Sequence, residues 1–448
     1  MMKHLFFLSG FVLLAMLGKA QDTTHTPDVL NLKQSVEIAI ANNATVKTAE
    51  FQKDYAAVSY NQAKGNLIPQ VSGSINHNLN QGRSIDPANN GYINSSLTTA
   101  NYNLNSNVTL FNGFYLLNNL KKNQYAYEAS KMEWQQSKDK LMLDVMLAYL
   151  QMLGNTDLLE QARRQADVTS QQVKRLETMN TEGAIKPSDL SDLRGQFASD
   201  QLAYVNAQNA LDQARYTLVQ LMNIPYNKKL SVERVGADQF DMNYGNSPDS
   251  IYLAAMQQLA IIKAVDLRSK SFEKELKAYK GNLYPSLGLG GGISTNYSSL
   301  AKDAANNKIP YDNQLKNNYG TYFGAGISIP ILNNFRYRNQ VSIAKIDYKS
   351  AQFTANTAKI QLRQNIEKDY FNMSASLDRY KTLVDQVSAY SESFHAADIR
   401  FTEGVGTVVD YIIAKNNLDR AKTNLIVARY EYLLRIKILD YYQQKPLW

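Results

Sequence analysis

Few residues in this chain have the type and spacing to do chemistry. Asp189 and Asp410 come first: each lies six residues beyond the glycine of a Glu-Gly pair, Glu182-Gly183 and Glu403-Gly404, and each stands where a helical pattern begins. A carboxylate in that position complements the positive end of the helix dipole. For Asp189 that reading is favoured, because Pro187 and Ser188 beside it are also residues that open helices. The four histidines, His4, His25, His77 and His395, are far apart, and the chain has no cysteine. Disulfides, thiolate metal sites and a lipidated N-terminal cysteine are therefore excluded. No acid, base or metal-ligand spacing supports an enzyme, and no cofactor is implied.

The elements that position the two aspartates are long helices. From 114 to 180 there is no proline and one glycine, Gly154, which predicts a helix of about 100 Å. The chain turns at Gly183 and returns as a helix over 188–222, about half as long. The pattern recurs later: a helix over 335–403, a turn at Gly404-Val405-Gly406, and a return over 408–442. Glycines permit so tight a helical hairpin.

A second repeated stretch leads into strands. Lys64-Gly65-Asn66-Leu67-Ile68-Pro69 returns as Lys280-Gly281-Asn282-Leu283-Tyr284-Pro285. In each, Gly65 or Gly281 loosens a helix, and Pro69 or Pro285 ends it and biases the preceding residue toward extended geometry. Alternation follows: Val71, Gly73, Ile75 and Leu79 against Ser72, Ser74, Asn76 and Asn78, with His77 interrupting the apolar face. Leu287, Leu289, Ile293 and Tyr297 repeat the period, and return strands run through Tyr102, Leu104, Val108 and Leu110, and through Phe323, Ala325, Ile327, Ile329 and Ile331. Strand hairpins over 70–111 and 286–331 are predicted, each with a polar surface loop. The shorter helices over 32–66 and about 250–278 lead into them, and each long helix should face two half-length ones stacked end to end.

Matching landmarks throughout make the chain a tandem duplication. Its organisation reads as a signal peptide over 1–20, a first repeat over 21–223, an equatorial linker over 224–249 and a second repeat over 250–448. The leader rests on Lys3, an apolar core from Leu5 to Leu17, and small residues before Gln21. No later segment is long and apolar enough for a membrane helix, so a crossing must use strands. Four strands cannot close a barrel, which requires several copies, three giving twelve strands. Aromatic residues cluster at both ends of the strands, among them Phe111, Phe114, Tyr284 and Phe335 on the helix side and Tyr102, Tyr297, Tyr319 and Tyr322 toward the loops, as interfacial girdles would. The formal charge of +8 is scattered in pairs such as Lys121-Lys122 and Lys228-Lys229, a solvated surface and not a nucleic-acid face.

These features, with Leu30 through Asn43, Leu110-Phe111-Asn112-Gly113, Ile331-Leu332-Asn333-Asn334 and Leu221-Met222-Asn223-Ile224-Pro225, resemble the TolC family of outer-membrane efflux and secretion proteins over nearly the whole chain. The resemblance implies an α+β membrane protein: a homotrimer whose long α-helical barrel crosses the periplasm and is continuous with a twelve-stranded transmembrane β-barrel in outer-membrane lipid, four strands per chain. It implies a passive exit duct of a tripartite efflux pump or type I secretion system, working with a periplasmic adaptor and an inner-membrane pump of RND or ABC type. Asp410 matches by position an aspartate that forms a constricting ring in that family, with Ile413 at the position of a second ring and Asp189 as the first-repeat counterpart. For Asp410 the gate and the helix-dipole readings stay level. The turns at Gly183 and at Gly404, Val405 and Gly406 would meet the adaptor. The chain departs from the family in lacking a proline after Asn43 and near Leu259-Ala260. The alternative to a duct is an exported structural or adhesive helical stalk.

Overall fold

The computed structural model describes residues 28–85, 90–94, 96–234 and 244–446. The leader and residues 86–89 of the first polar loop lie outside the described residues. In chain order the elements are β1 (Val29–Leu30), α1 (Leu32–Asn42), α2 (Ala44–Gly65), β2 (Gln70–Asn80), β3 (Arg83–Ile85), β4 (Tyr92–Asn94), β5 (Leu97–Asn112), α3 (Tyr115–Thr181) and α4 (Pro187–Met222). There follow β6 (Ser231–Val232), α5 (Pro248–Gln258), α6 (Ala260–Gly281), β7 (Ser286–Ser298), α7 (Tyr311–Asn317), β8 (Gly320–Ser328), α8 (Arg336–Thr402) and α9 (Val408–Tyr442).

Element lengths recur between the halves. α3 and α8 each have 67 residues, α1 and α5 have 11, and α2 and α6 have 22. Each long helix packs against one half-length helix leading into the strands and another returning from the tip: α2 and α4 on α3, α6 and α9 on α8. That is the two-against-one stacking expected from the sequence.

Two expected helices are broken. The helix read over 32–66 stops at Asn43 (φ −68°, ψ 127°), and the one read over about 250–278 stops at Leu259 (φ −63°, ψ 128°). Neither break has a proline. Asn43 holds its kink with its side chain: the carboxamide oxygen accepts from Thr45 N at 2.9 Å, and Nδ2 donates to the Leu221 carbonyl at 3.0 Å. This fixes the junction of α1 and α2 beside the end of α4. At Leu259 the side chain is buried with Ile251, Ala255 and Ile262 in the main core, so packing secures the bend. α5 and α6 meet there at 53°, and no single helix among the described residues is long and apolar enough to cross a membrane.

The main core lies halfway along the long helices, where Val145, Met146, Tyr149 and Leu153 of α3 meet α1, α5 and the inner ends of α4 and α9. Tyr149 is buried there and donates to two carbonyls, Glu233 at 2.7 Å and Leu30 at 3.2 Å. It thereby pins the parallel β1–β6 pair against α3. Burial pushes its phenol up to about 12.

The four long strands form one antiparallel sheet in the order β2-β5-β7-β8. The first polar loop carries the small hairpin β3–β4, and the second carries α7, neither of which the sequence pattern announced. Where strand returns to helix, the chain reverses through residues at positive φ: Gly113 (61°) and Phe114 (64°) in the first half, Asn334 (52°) and Phe335 (59°) in the second.

Candidate functional site: the helical tips and the strand junction

At the far end of the long helices the turns of both halves come together. Gly183 and Gly404 have φ of 70° and 73°, a backbone that strains any residue with a Cβ. Gly406 is required for a different reason: a Cβ there would lie 3.0 Å from Phe401 N and 3.1 Å from the Arg400 carbonyl carbon. Val405 between them is exposed. A groove of about 610 Å³ runs between the turns, lined by Arg175, Met179, Ile185, Asp189, Phe401 and Val409 among others. Beneath it a small core of Val173, Leu176, Leu190, Leu193, Val408 and Tyr411 locks the two turns together. Arg175 of α3 reaches across to α8, donating to the Thr402 carbonyl at 3.0 Å. The turns therefore act as one rigid tip.

Both candidate aspartates occupy the same place, the third residue of a returning helix. Thr407 caps α9: its Oγ1 accepts from Asp410 N at 3.1 Å and donates to the Asp410 carboxylate at 2.7 Å. Asp410 is exposed and committed to that cap. Asp189 is half-buried in the first turn of α4, where Ser188 Oγ donates to it over a long 3.4 Å. Within one chain both carboxylates thus lie in the first turn of a helix, where they complement its N-terminus. Ile413 is exposed one turn on.

A charged cluster that sequence reasoning missed lies about two turns further along α9. Lys415 Nζ donates to Asp200 at 2.9 Å and to Asp419 at 2.6 Å, and its side chain is only 3% exposed. Asp200 also accepts from Thr169 Oγ1 at 2.5 Å and Gln196 Nε2 at 2.8 Å. The cluster ties α3, α4 and α9. Burial pushes the Asp419 carboxyl up, against the pull of Lys415. The signal was present: Leu190, Leu193, Phe197 and Asp200 share the helical spacing of Val408, Tyr411, Lys415 and Leu418, so a charge stands on each buried stripe.

At the other end, the two glycine-proline switches differ. Gly281 lies against Gly113, and a Cβ on either would meet the other's carbonyl oxygen at 2.5 Å or less. Pro285 then leads directly into β7. Gly65 and Pro69 hold the corresponding position before β2, but a Cβ on Gly65 would meet nothing within 4 Å. Around the junction Phe111 and Phe114 stack edge to face at 5.4 Å, and Tyr284, Phe114 and Phe335 are exposed. Tyr322 departs from the expected girdle: strand register sets it on the face opposite Tyr102 and Tyr297. Among the described residues no group of three or more metal-binding side chains gathers.

Comparison with known proteins agrees with this architecture. The chain is 25% identical over 409 residues to outer membrane protein TolC of Escherichia coli (strain K12), covering 90% of this chain and 80% of that one. It is 22% identical over 422 residues to toxin and drug export protein A of Aggregatibacter actinomycetemcomitans, covering 90% and 83%. Its fold matches the outer-membrane channel OprN with a TM-score of 0.79 at 16% identity, over 93% of this chain and 90% of the other. It matches the outer membrane protein VceC of Vibrio cholerae with 0.78 at 15% identity, over 92% and 96%. These likenesses favour a duct over a stalk. The model of the outer membrane efflux protein family matches residues 35–223 and again 252–438, and the chain belongs to that family, an exit duct of the outer membrane that serves efflux pumps.

Proposed function

We propose that three copies of the chain, each a tandem duplication with the repeat boundaries read from the sequence, close a twelve-stranded barrel in the outer membrane above a twelve-helix periplasmic tunnel. The observation that carries this is the sheet itself. It has four strands, one apolar face, and outer strands β2 and β8 that pair on one side only. Open strand edges are not viable in lipid, so each edge needs the edge of another copy.

The internal repeat supplies the register. In β5–β7, Ser106 pairs with Gly291, Leu104 with Ile293 and Tyr102 with Thr295. Matching Pro69 to Pro285 and Phe111 to Leu332 transfers this pairing to the open edges. Ile75 then faces Ile327 of the partner subunit, His77 faces Ala325 of the partner subunit and Leu79 faces Phe323 of the partner subunit. Each pair falls on the apolar face of both strands, which an arbitrary register would achieve only half the time. By the same transfer Gly65, open in one chain, meets Asn334 of the partner subunit as Gly281 meets Gly113.

In the assembled duct the tips at Gly183 and Gly404 to Gly406 dock a periplasmic adaptor that links to an inner-membrane pump of RND or ABC type. The groove between the turns supports this, being apolar along Met179, Ile185 and Phe401 with a polar rim. Three Asp410 carboxylates, with Asp189 nearby, narrow the closed end and attract cations. Cargo passes passively, without catalytic residues. The test is single-channel conductance of detergent-purified protein in a planar bilayer, with oligomeric mass measured on the same sample. A trimer of small, cation-sensitive conductance is expected; a monomer that never enters the bilayer would refute the reading.

A further inference from the structure

The register of the four-stranded sheet sorts every strand residue to one of two faces. Val71, Ile75, Leu104, Leu289, Ile293 and Ile327 share one face, which is the side suited to lipid. The opposite face is polar and uncharged, apart from Leu97 at its loop end and the ring of Tyr322. Asn76 pairs with Asn101, which pairs with Asn296, making an unbroken row of carboxamides across three strands. The neighbouring rows continue it: Ser74, Asn103 and Ser294, then Ser72, Asn105 and Gly292, then Gln70, Asn107 and Gly290. A bulge at Leu110 resets the strand before its base, so the alternation holds to the end of the apolar span.

No Asp, Glu, Lys or Arg occurs anywhere in β2, β5, β7 or β8. For the lipid face this follows from solvation. For the inner face solvation does not require it, because charge rings are how pores select ions. The glycines on this face make room for an aromatic. A Cβ on Gly292 would lie 2.7 Å from the Tyr322 ring and 2.6 Å from Asn105 Oδ1, so the ring occupies the space that a side chain would fill. Its hydroxyl donates to Asn105 Oδ1 at 3.2 Å.

We propose that the membrane barrel is a charge-free sleeve of carboxamides, hydroxyls and bare backbone, so that it passes anionic, cationic and neutral hydrogen-bonding cargo alike and leaves charge discrimination to the helical half. A carboxamide donates and accepts equally, so it wets a polar solute without favouring either sign. The inference rests on the barrel proposed above and adds which face is the lumen and what it selects for.

The chain lacks cysteine, which makes single cysteines clean reporters. In channels held in a planar bilayer, a charged, membrane-impermeant methanethiosulfonate should alter the conductance of Asn103→Cys and leave that of Ile75→Cys unchanged. Reversal potentials in a salt gradient, taken in an Asp410→Ala background so that the tip carboxylates do not set the ratio, give the second measurement. Asn103→Lys and Asn103→Asp should shift the cation-to-anion permeability ratio severalfold in opposite directions from the parent, by similar factors. Labelling of Ile75→Cys with none of Asn103→Cys would overturn the face assignment. A ratio that moves for one sign only would show a charge field already present in the lumen, overturning the neutral sleeve. Failure of the unsubstituted protein to form any oligomeric channel would instead remove the barrel on which the inference rests.

Discussion

Replacing Lys415 with methionine tests how the packed helices are held near their tip. The ammonium bridges Asp200 and Asp419 with 3% of its side chain exposed, and the two carboxylates are 9% and 19% exposed. Without it, two buried acids face each other. Asp200 keeps its bonds from Thr169 and Gln196, but neither supplies charge. Removing one partner from a buried ion pair costs about 3–5 kcal/mol, against near neutrality when the whole cluster is replaced by apolar groups of similar volume. Lys415→Met should therefore lower unfolding stability by about 3 kcal/mol or more per chain, and adding Asp200→Leu and Asp419→Leu should restore most of it. The pH dependence fixes the cause. Asp419 already has a raised folded pKa, and loss of the lysine raises it further, so the cost is full above that pKa and fades as pH falls through it toward the unfolded value. Denaturant unfolding of the detergent-solubilised protein, followed by helical circular dichroism at about pH 8 and about pH 5, measures both effects. A deficit below about 1 kcal/mol at the higher pH, or one that does not shrink at the lower, would mean that water reaches the cluster and would refute the buried-pair account.

Other substitutions test the remaining parts. Tyr149→Phe removes the hydroxyl bond to the Glu233 carbonyl, while the Leu30 carbonyl still accepts from Glu233 N, and should cost about 1 kcal/mol in denaturant unfolding, with conductance unchanged. Gly281→Ala drives a Cβ into the Gly113 carbonyl and should cost about 3 kcal/mol or prevent folding, whereas Gly65→Ala has space within its own chain and should reduce the yield of trimers, seen by native mass, without changing helical content. Cysteines placed together at His77 and Ala325 should crosslink between copies on oxidation, seen as a ladder in non-reducing gels, while a His77 and Phe323 pair, out of register, should not. Asp410→Ala should raise closed-state conductance or weaken block by multivalent cations; because Thr407 still caps α9, stability should fall by less than about 1 kcal/mol.

Much of this architecture was legible because it depends on period and punctuation. The strands alternate through Asn76 and Asn101 with few interruptions, such as His77, and the long helices contain no proline, so both followed from residue order alone. The kinks at Asn43 and Leu259 were hidden because each is secured from outside its own segment. Asn43 bonds to the Leu221 carbonyl, 178 residues away, and Leu259 is held by the core it enters. The requirement for Gly281 was likewise invisible: its spacing announced a switch, but the reason no other residue fits is the Gly113 backbone from the preceding hairpin. Lys415 and Asp200 were passed over because each, read within its own helix, is one charge among many. Only the stripe of Leu193 and Tyr411 that they share marks them as buried.

The candidate gate divides along the same line. A single chain determines where Asp410 sits on its helix, and there Thr407 fully accounts for the local bonds. Any further role must come from charges that one chain does not contain, since a capped, exposed carboxylate gains gating strength only when symmetry brings two more beside it. The proposed barrel works in the opposite direction. Its inner face carries no charge for symmetry to multiply, so three copies of the same strands leave it as neutral as one. A threefold assembly thus amplifies the tip and not the sleeve, which is the physical reason to look for selectivity at Asp410 and for indifference at Asn103.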